Sequence, residues 1–256
     1  ERHMLRSRII PCLLIHDDGL NKTELFKPGK YVGDPLNAVK IFNEKEVDEL
    51  IVLDIDNTVQ GKTPNMEVIQ SLANECRMPL CYGGGVTTVE QAVQIISMGV
   101  EKVALSSAAL EDLSLCDKIA SVIGKQSVVV VLDVKKARWG KGYNVYTHNG
   151  TKKHAQKLDE VLDVISNHEV GEVVINSIDN DGQLCGYNYE LSDLATTKLN
   201  IPITMLGGAS SYDDIKNLIA RHRIIGAAAG SLFVFKGRLK AVLINYPNRE
   251  ERKKLY

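Results

Sequence analysis

Eight short, almost uninterrupted apolar runs recur along the chain, at residues 9–15, 49–55, 79–82, 102–105, 127–134, 172–175, 201–206 and 224–229. They are rich in Val and Ile and lack the polar alternation of a strand with one wet face. Strands covered on both faces read this way, and such strands belong to parallel sheets. Between most of the runs lie stretches with helical periodicity. Residues 86–98 are one: Thr87 or Thr88 can cap the start, and Val89, Ala92, Val93 and Ile96 share a face. Residues 213–220, after Ser210-Ser211, are another. Strands alternating with helices in eight units predict an α/β fold, a (β/α)8 TIM barrel, as a single domain over residues 4–256. An open doubly wound sheet is the alternative, but no GxGxxG turn supports it. Glu1-Arg2-His3 reads as a short addition ahead of Met4 and is left out of the fold.

The barrel reading gains from an internal repeat. At a shift of 123 residues, Asp48-Glu49-Leu50-Ile51-Val52 falls on Gly171-Glu172-Val173-Val174-Ile175, Gly84-Gly85 falls on Gly207-Gly208, and residues 102–108 fall, more weakly, on 225–231. The first strands align at a shift of 119, which sets Leu14 against Asp133. Four βα units duplicated once give eight. The repeat also exposes a gap: two equivalent strand ends carry only one carboxylate, Asp133, with Leu14 where the other is expected.

Composition narrows the function. Net charge is −1, so no global field favours nucleic acid or a membrane surface. No apolar run approaches the roughly 18 residues of a membrane span. Five cysteines without metal-ligand spacing read as reduced, buried thiols of a cytoplasmic protein, and six histidines show no metal spacing either, so neither metal nor cofactor is expected. Residues 135–142, a basic stretch holding Trp139, read as a solvated hairpin, His148-Asn149-Gly150 as a turn, and residues 248–254 as a solvated helix end.

In barrels of this type, ligands bind at the C-terminal ends of the strands. Each half places a glycine pair there, Gly84-Gly85 and Gly207-Gly208. Glycine lets backbone N–H groups approach a phosphate closely. The next unit of each half ends in small residues, Ser106-Ser107 and Gly230-Ser231, whose amides and hydroxyls can complete each cradle. Two anion sites are therefore expected across one barrel mouth, suited to an elongated phosphorylated small molecule with a phosphate at each end. Tight βα turns are the structural alternative for these glycines.

Several motifs now fall in order: Arg8-Ile9-Ile10-x-Cys12-Leu13, Gly33-Asp34-Pro35, Asp48-Glu49-Leu50 leading to Leu53-Asp54-Ile55, Gly83-Gly84-Gly85, and Ser177-Ile178-Asp179-Asn180-Asp181-Gly182. On these the chain, from Met4 onward, resembles the HisF family, the cyclase subunit of imidazole glycerol phosphate synthase. The resemblance implies a barrel paired at its N-terminal face with a glutaminase subunit, which supplies ammonia through the barrel interior to a bis-phosphorylated ribulosyl substrate. It makes Asp133 one of two catalytic aspartates and Leu14 the replacement of the other. It makes Arg8, Glu49, Lys102 and Glu172 the charged ring that admits ammonia, though a structural salt-bridge network closing the floor is a compatible reading. Asp54, Asn176 and Asp181 are placed at the active-site mouth, and Gly85, Ser107, Gly208 and Ser231 at phosphate positions. Ser106 and Asn176 depart from the family's usual neutral residues.

Leucine neither donates nor accepts a proton, and loss of an acid/base group costs about 10²–10⁴ in rate. Asp17 and Asp18, further along the same segment, are poor replacements. The chain thus looks like the divergent members of the family that accompany surface-polysaccharide genes. These serve a glutaminase homologue and an ATP-dependent amidotransferase that builds an acetamidino group on an amino sugar. A true cyclase of histidine biosynthesis and a sugar-phosphate-binding regulatory barrel are the alternatives.

Overall fold

The computed structural model describes residues 5–16, 19–24 and 27–256. Eight parallel strands form the barrel: β1 (Arg8–His16), β2 (Leu50–Asp54), β3 (Leu80–Gly83), β4 (Lys102–Leu105), β5 (Val128–Lys136), β6 (Glu172–Ser177), β7 (Ile203–Leu206) and β8 (Gly226–Ala229). Each pairs in parallel with the next, and β8 pairs with β1 to close the ring. The expected (β/α)8 barrel is therefore present. Its apolar runs serve two cores. Ile9, Leu13 and Ile15 of β1 pack outward with the helices. Ile10 and Cys12 point inward and meet Ile51, Cys81, Val129, Val131, Val174 and Leu206 in the barrel interior. Period-two alternation between two apolar environments explains why no polar alternation is visible in the sequence.

Local chemistry sets the element ends. The helix predicted over 86–98 runs Val89–Ser97, because Thr88 and Gln91 form a reciprocal capping box and hold its start three residues later. Ser211 caps the helix Tyr212–His222. Strand β7 starts at Ile203 rather than at 201, immediately after Pro202, which has no N–H to give to a ladder. The larger departure lies in the first and fifth crossovers. Each carries an antiparallel hairpin before its helix, Gly19–Glu24 with Lys27–Gly33 and Tyr143–Thr147 with Lys152–Lys157. Tyr143–Thr147 also pairs back on the extended end of β5, and the turn joining the two leaves Trp139 exposed, as read from the sequence. The first hairpin was read only as a strand-end loop. His148, Asn149 and Gly150 occupy successive positive-φ positions of a turn. Two further expectations need correction: Cys185 is exposed and Cys76 only half-buried, and the terminal helix Arg249–Leu255 buries Arg252 and Leu255 rather than lying wholly in solvent.

Sheet register makes the internal repeat geometric. Leu14 stands opposite Leu53, and Asp133 opposite Asn176. Likewise Leu53 pairs with Gly83 and Asn176 with Leu206. The last units align one residue further along than the sequence shift suggests, since Cys81 pairs with Lys102 and Thr204 with Gly226. That places Ser106-Ser107 against Gly230-Ser231.

Candidate functional site

At the N-terminal end of the barrel, Arg8, Glu49, Lys102 and Glu172 form a closed ring of alternating charge. Arg8 pairs with Glu49 and, at 3.2 Å, with Glu172. Lys102 reaches Glu49 at 2.9 Å and Glu172 at 3.0 Å. Thr204 adds a hydroxyl that donates to Glu172 at 3.0 Å. Both glutamates are buried. Desolvation works against the cationic form of Lys102, but the two glutamates outweigh it, Glu172 foremost, and hold the ammonium above its ordinary value. The same balance holds for Arg8. The strand starts supply these four residues from different units, so only barrel closure brings them together.

At the opposite end, a cavity of about 380 Å³ opens among the strand C-termini. Asp133 lines it from β5. Burial lifts its carboxyl to about 7, against a lowering hydrogen bond from Asn176 at 3.2 Å and with help from Asp181. A carboxyl with that value can both donate and accept a proton near neutrality. Leu14 and Leu53 face the same cavity from β1 and β2. Asp54 accepts backbone N–H bonds from Asp56 and Asn57 at 2.9 and 3.2 Å, which shapes the turn after β2. Asp54, Asn176 and Asp181 all lie on the cavity wall.

The glycine pairs are required by the backbone. Gly84 and Gly207 sit at φ 129° and 101°, and a Cβ on either would meet a carbonyl of the preceding strand end at 2.6 Å, Asp54 O or Ser177 O. Gly85 and Gly208 sit at φ 72° and 102°, each with the Cβ of an asparagine, Asn57 or Asn180, 2.9 Å from where its own Cβ would be. The two halves thus copy each other at the level of single contacts. The cavity reaches Gly84, Gly85, Ser106, Ser107 and Gly230, whereas Gly207, Gly208 and Ser231 lie off its wall.

Other residues at the mouth have no site role in the sequence reading, although His16 stands out there as following Leu14 on the same strand. His16 Nδ1 lies 2.5 Å from Asp56 Oδ2, and both side chains line the cavity. Asn57, Lys62, Thr63, His148 and Asn149 join them. Asn149 reaches from the second hairpin to the carbonyl of Ile55 at 2.8 Å, tying the two halves across the opening. One signal was available: Ile55-Asp56-Asn57 repeats as Ile178-Asp179-Asn180 at the same shift of 123. Asp17 and Asp18 lie outside the described residues. Among the described residues no cluster of His, Cys, Asp or Glu is arranged to hold a metal ion, and no helix is long and apolar enough to cross a membrane.

Comparison with known proteins gives one family. Residues 8–240 match the histidine biosynthesis protein family. A Leptospira borgpetersenii protein provisionally named imidazole glycerol phosphate synthase subunit HisF is 53% identical over 253 residues, covering 99% of this chain and 100% of the relative. A Vibrio vulnificus protein with the provisional name imidazole glycerol phosphate synthase subunit hisF3 is 53% identical over 251 residues, 98% of this chain and 96% of its own. The imidazole glycerol phosphate synthase subunit HisF of Natranaerobius thermophilus, named without that qualification, is 32% identical over 243 residues, 95% of this chain and 96% of its own.

Proposed function

This chain belongs to the histidine biosynthesis protein family as a HisF-type barrel, and from that premise we propose that it is the ammonia-receiving subunit of a glutamine amidotransferase complex in which ring closure by the barrel itself is impaired. A glutaminase docks on the face that carries Arg8, Glu49, Lys102 and Glu172. Ammonia enters when that ring opens. It then passes an interior walled by Ile10, Cys12, Ile51, Cys81, Ala104 and Val131, side chains that favour a neutral molecule over ammonium. It leaves at the mouth, where an ATP-dependent amidotransferase takes it up to amidate an amino sugar for surface polysaccharide.

The observation that carries this reading is the register of the two strand ends. Asp133 opposite Asn176 has Leu14 opposite Leu53 as its twin. One half of the mouth offers a buried acid with a hydrogen-bonding neighbour, and the other offers two leucines. The greater similarity to the provisionally named relatives than to the plainly named one agrees with a branch that has left the parent chemistry.

The test is ammonia-dependent turnover of the bis-phosphorylated ribulosyl substrate by the full chain, with and without a competent glutaminase. Negligible turnover is expected, and a measurable gain on Leu14→Asp. Robust wild-type turnover overturns the proposal. One observation favours that second outcome, a working cyclase of the histidine pathway: the His16–Asp56 pair offers another proton carrier in the same cavity. In that case both His16→Gln and Asp133→Asn abolish the turnover.

A further inference from the structure

Among the described residues the two most exposed large apolar side chains are Leu239, at 94%, and Trp139, at 84%. A lone exposed hydrophobe needs no account. These two share a setting. Trp139 sits in the turn between the end of β5 and Tyr143–Thr147. Leu239 sits in the turn between Phe235–Lys236 and Ala241–Val242, which follow β8 through the short helix Ser231–Val234. Both ribbons rise beyond strand C-termini, on the face that holds the cavity. Both are firmly built. In the first, Ala137 N–H donates to Gly142 O at 2.9 Å, and Lys157 Nζ donates to Lys141 O at 2.5 Å. At the base of the second, the Asn245 amide donates to the carbonyls of Leu232 at 3.0 Å and Leu243 at 3.1 Å. The tips are thus held out in water by ordered backbone, a preorganised display.

Their charge has one sign. Residues 134–157 carry seven lysines and arginines and no aspartate or glutamate, and residues 235–242 carry three and again none. The whole chain stands at −1, so its remainder is acidic. Among the described residues none of the seven cations of the first ribbon is in an ion pair. The lysines of Lys152–Lys157 have a structural reason, since that strand ends its sheet and charge on an edge discourages pairing with another chain. The reason does not extend to Arg138, Trp139 and Lys141 in the turn, nor to the ribbon of Leu239. Tryptophan and arginine are the side chains that carry most energy in protein interfaces, and surrounding lysines steer an acidic partner.

The ribbons also adjoin the cavity. His148 and Asn149 of the first hairpin line it, as does Gly230 just ahead of the second ribbon. The cavity wall carries Asp54, Asp56, Glu111 and Asp181. A nucleic acid or an anionic lipid surface laid across this face would meet those carboxylates as well as the cations. A protein can present acid to the ribbons alone.

We infer that the two ribbons form the docking rim for a protein with an acidic surface and an apolar slot that takes Trp139, seated over the cavity mouth. The inference deepens the function proposed above and rests on it for the partner's role as ammonia acceptor, while the docking chemistry rests on the ribbons.

Trp139 is the only tryptophan of the chain, so its emission reports on this surface alone. The full chain is titrated with a synthetic glutamate-rich peptide carrying interspersed leucines, and in parallel with an all-glutamate peptide, an RNA homopolymer and phosphatidylglycerol vesicles. Saturable binding of the leucine-bearing peptide is expected, with Trp139 emission moving to shorter wavelength and affinity falling as salt rises. The all-glutamate peptide should bind severalfold more weakly, and neither RNA nor vesicles should shift the emission. Arg138→Glu combined with Lys141→Glu should weaken peptide binding by roughly tenfold or more, and Leu239→Ser by about threefold or more. Lys216→Glu, on the outer helix Tyr212–His222, should leave it within about twofold. A thermal melt shows that each variant is folded. A larger shift with RNA or vesicles, no saturable peptide binding, or binding indifferent to the changes in either ribbon each overturn the inference and leave the ammonia proposal standing. Peptide binding as expected together with robust cyclase turnover keeps the docking rim and removes the acceptor role.

Discussion

Removing one charge from the ring at the barrel floor is the sharpest test of how the strand starts are held. Glu172 meets three partners: Arg8 at 3.2 Å, Lys102 at 3.0 Å and the Thr204 hydroxyl at 3.0 Å. Glu172→Gln keeps its shape but leaves Arg8 and Lys102 facing Glu49 alone, two cations on one anion in a buried site. Breaking a buried ion pair from one side costs about 3–5 kcal/mol, because the remaining charge is uncompensated. Gln retains an acceptor and a donor, which points to the low end, about 3 kcal/mol. For a chain of this size about 2–4 °C of melting temperature corresponds to each kcal/mol, so a fall of about 6–12 °C is expected by circular dichroism. Lys102→Met in the same chain restores the balance and leaves Arg8 with Glu49. The double variant should therefore be more stable than the sum of the two single losses, by about 1–3 kcal/mol. A melting temperature within about 2 °C of wild type for Glu172→Gln, or strict additivity in the double, would refute the cooperative ring and reduce it to four weakly coupled side chains.

Asp133 sets a pH dependence. Its carboxyl is held near 7 when folded but titrates near 4 when unfolded, so between these values only the native state keeps the proton and this group's contribution to stability falls as pH rises. Asp133→Asn removes that slope: urea titrations should show it gaining on wild type between pH 4 and 8 by on the order of 2–4 kcal/mol, and parallel pH profiles would contradict the raised value. Gly84→Ala and Gly207→Ala should each cost about 1–3 kcal/mol or more from positive φ and carbonyl contact, by denaturant midpoint; if only one is costly, the two turns are not equivalent. Trp139, 84% exposed at its hairpin tip, should be replaceable by Ala within about 0.5 kcal/mol in the same measurement.

The barrel was legible because burial on both strand faces leaves a plain mark, an apolar run without alternation. The repeat was legible because Glu49 and Glu172, and the glycine pairs, recur at one spacing. The ring could be suspected from charges at strand starts, but its alternating geometry depends on closure. The first hairpin was missed because Gly19–Gly33 mixes Gly, Pro28 and lysines and shows no strand pattern. The His16–Asp56 contact was missed for another reason: it joins a strand end to a turn in the next unit, and neither residue has local periodicity to mark it.

Leu14 affects Asp133 as well as its own position. Alternation along β1 turns residues 8, 10, 12 and 14 inward, just as it turns 129, 131 and 133 inward on β5. Above the charged ring the β1 column is Ile10, Cys12 and Leu14, and Leu53 joins it at the same level. An apolar wall on that side of the mouth keeps the local dielectric low. Low dielectric is the leading cause that lifts Asp133 to about 7. A carboxylate at position 14 would add a second charge and draw water into the same space. With leucine at position 14 the β1 strand end offers no proton carrier, and Asp133 is held up by burial and by the charge of Asp181. Under the function proposed above, a partly neutral acid over an apolar bore would impose little electrostatic barrier on departing ammonia, whereas two ionised carboxylates would favour ammonium, the form that cannot act as a nucleophile. On that proposal the leucine at this strand end suits the release of ammonia better than the divided acid and base work of ring closure.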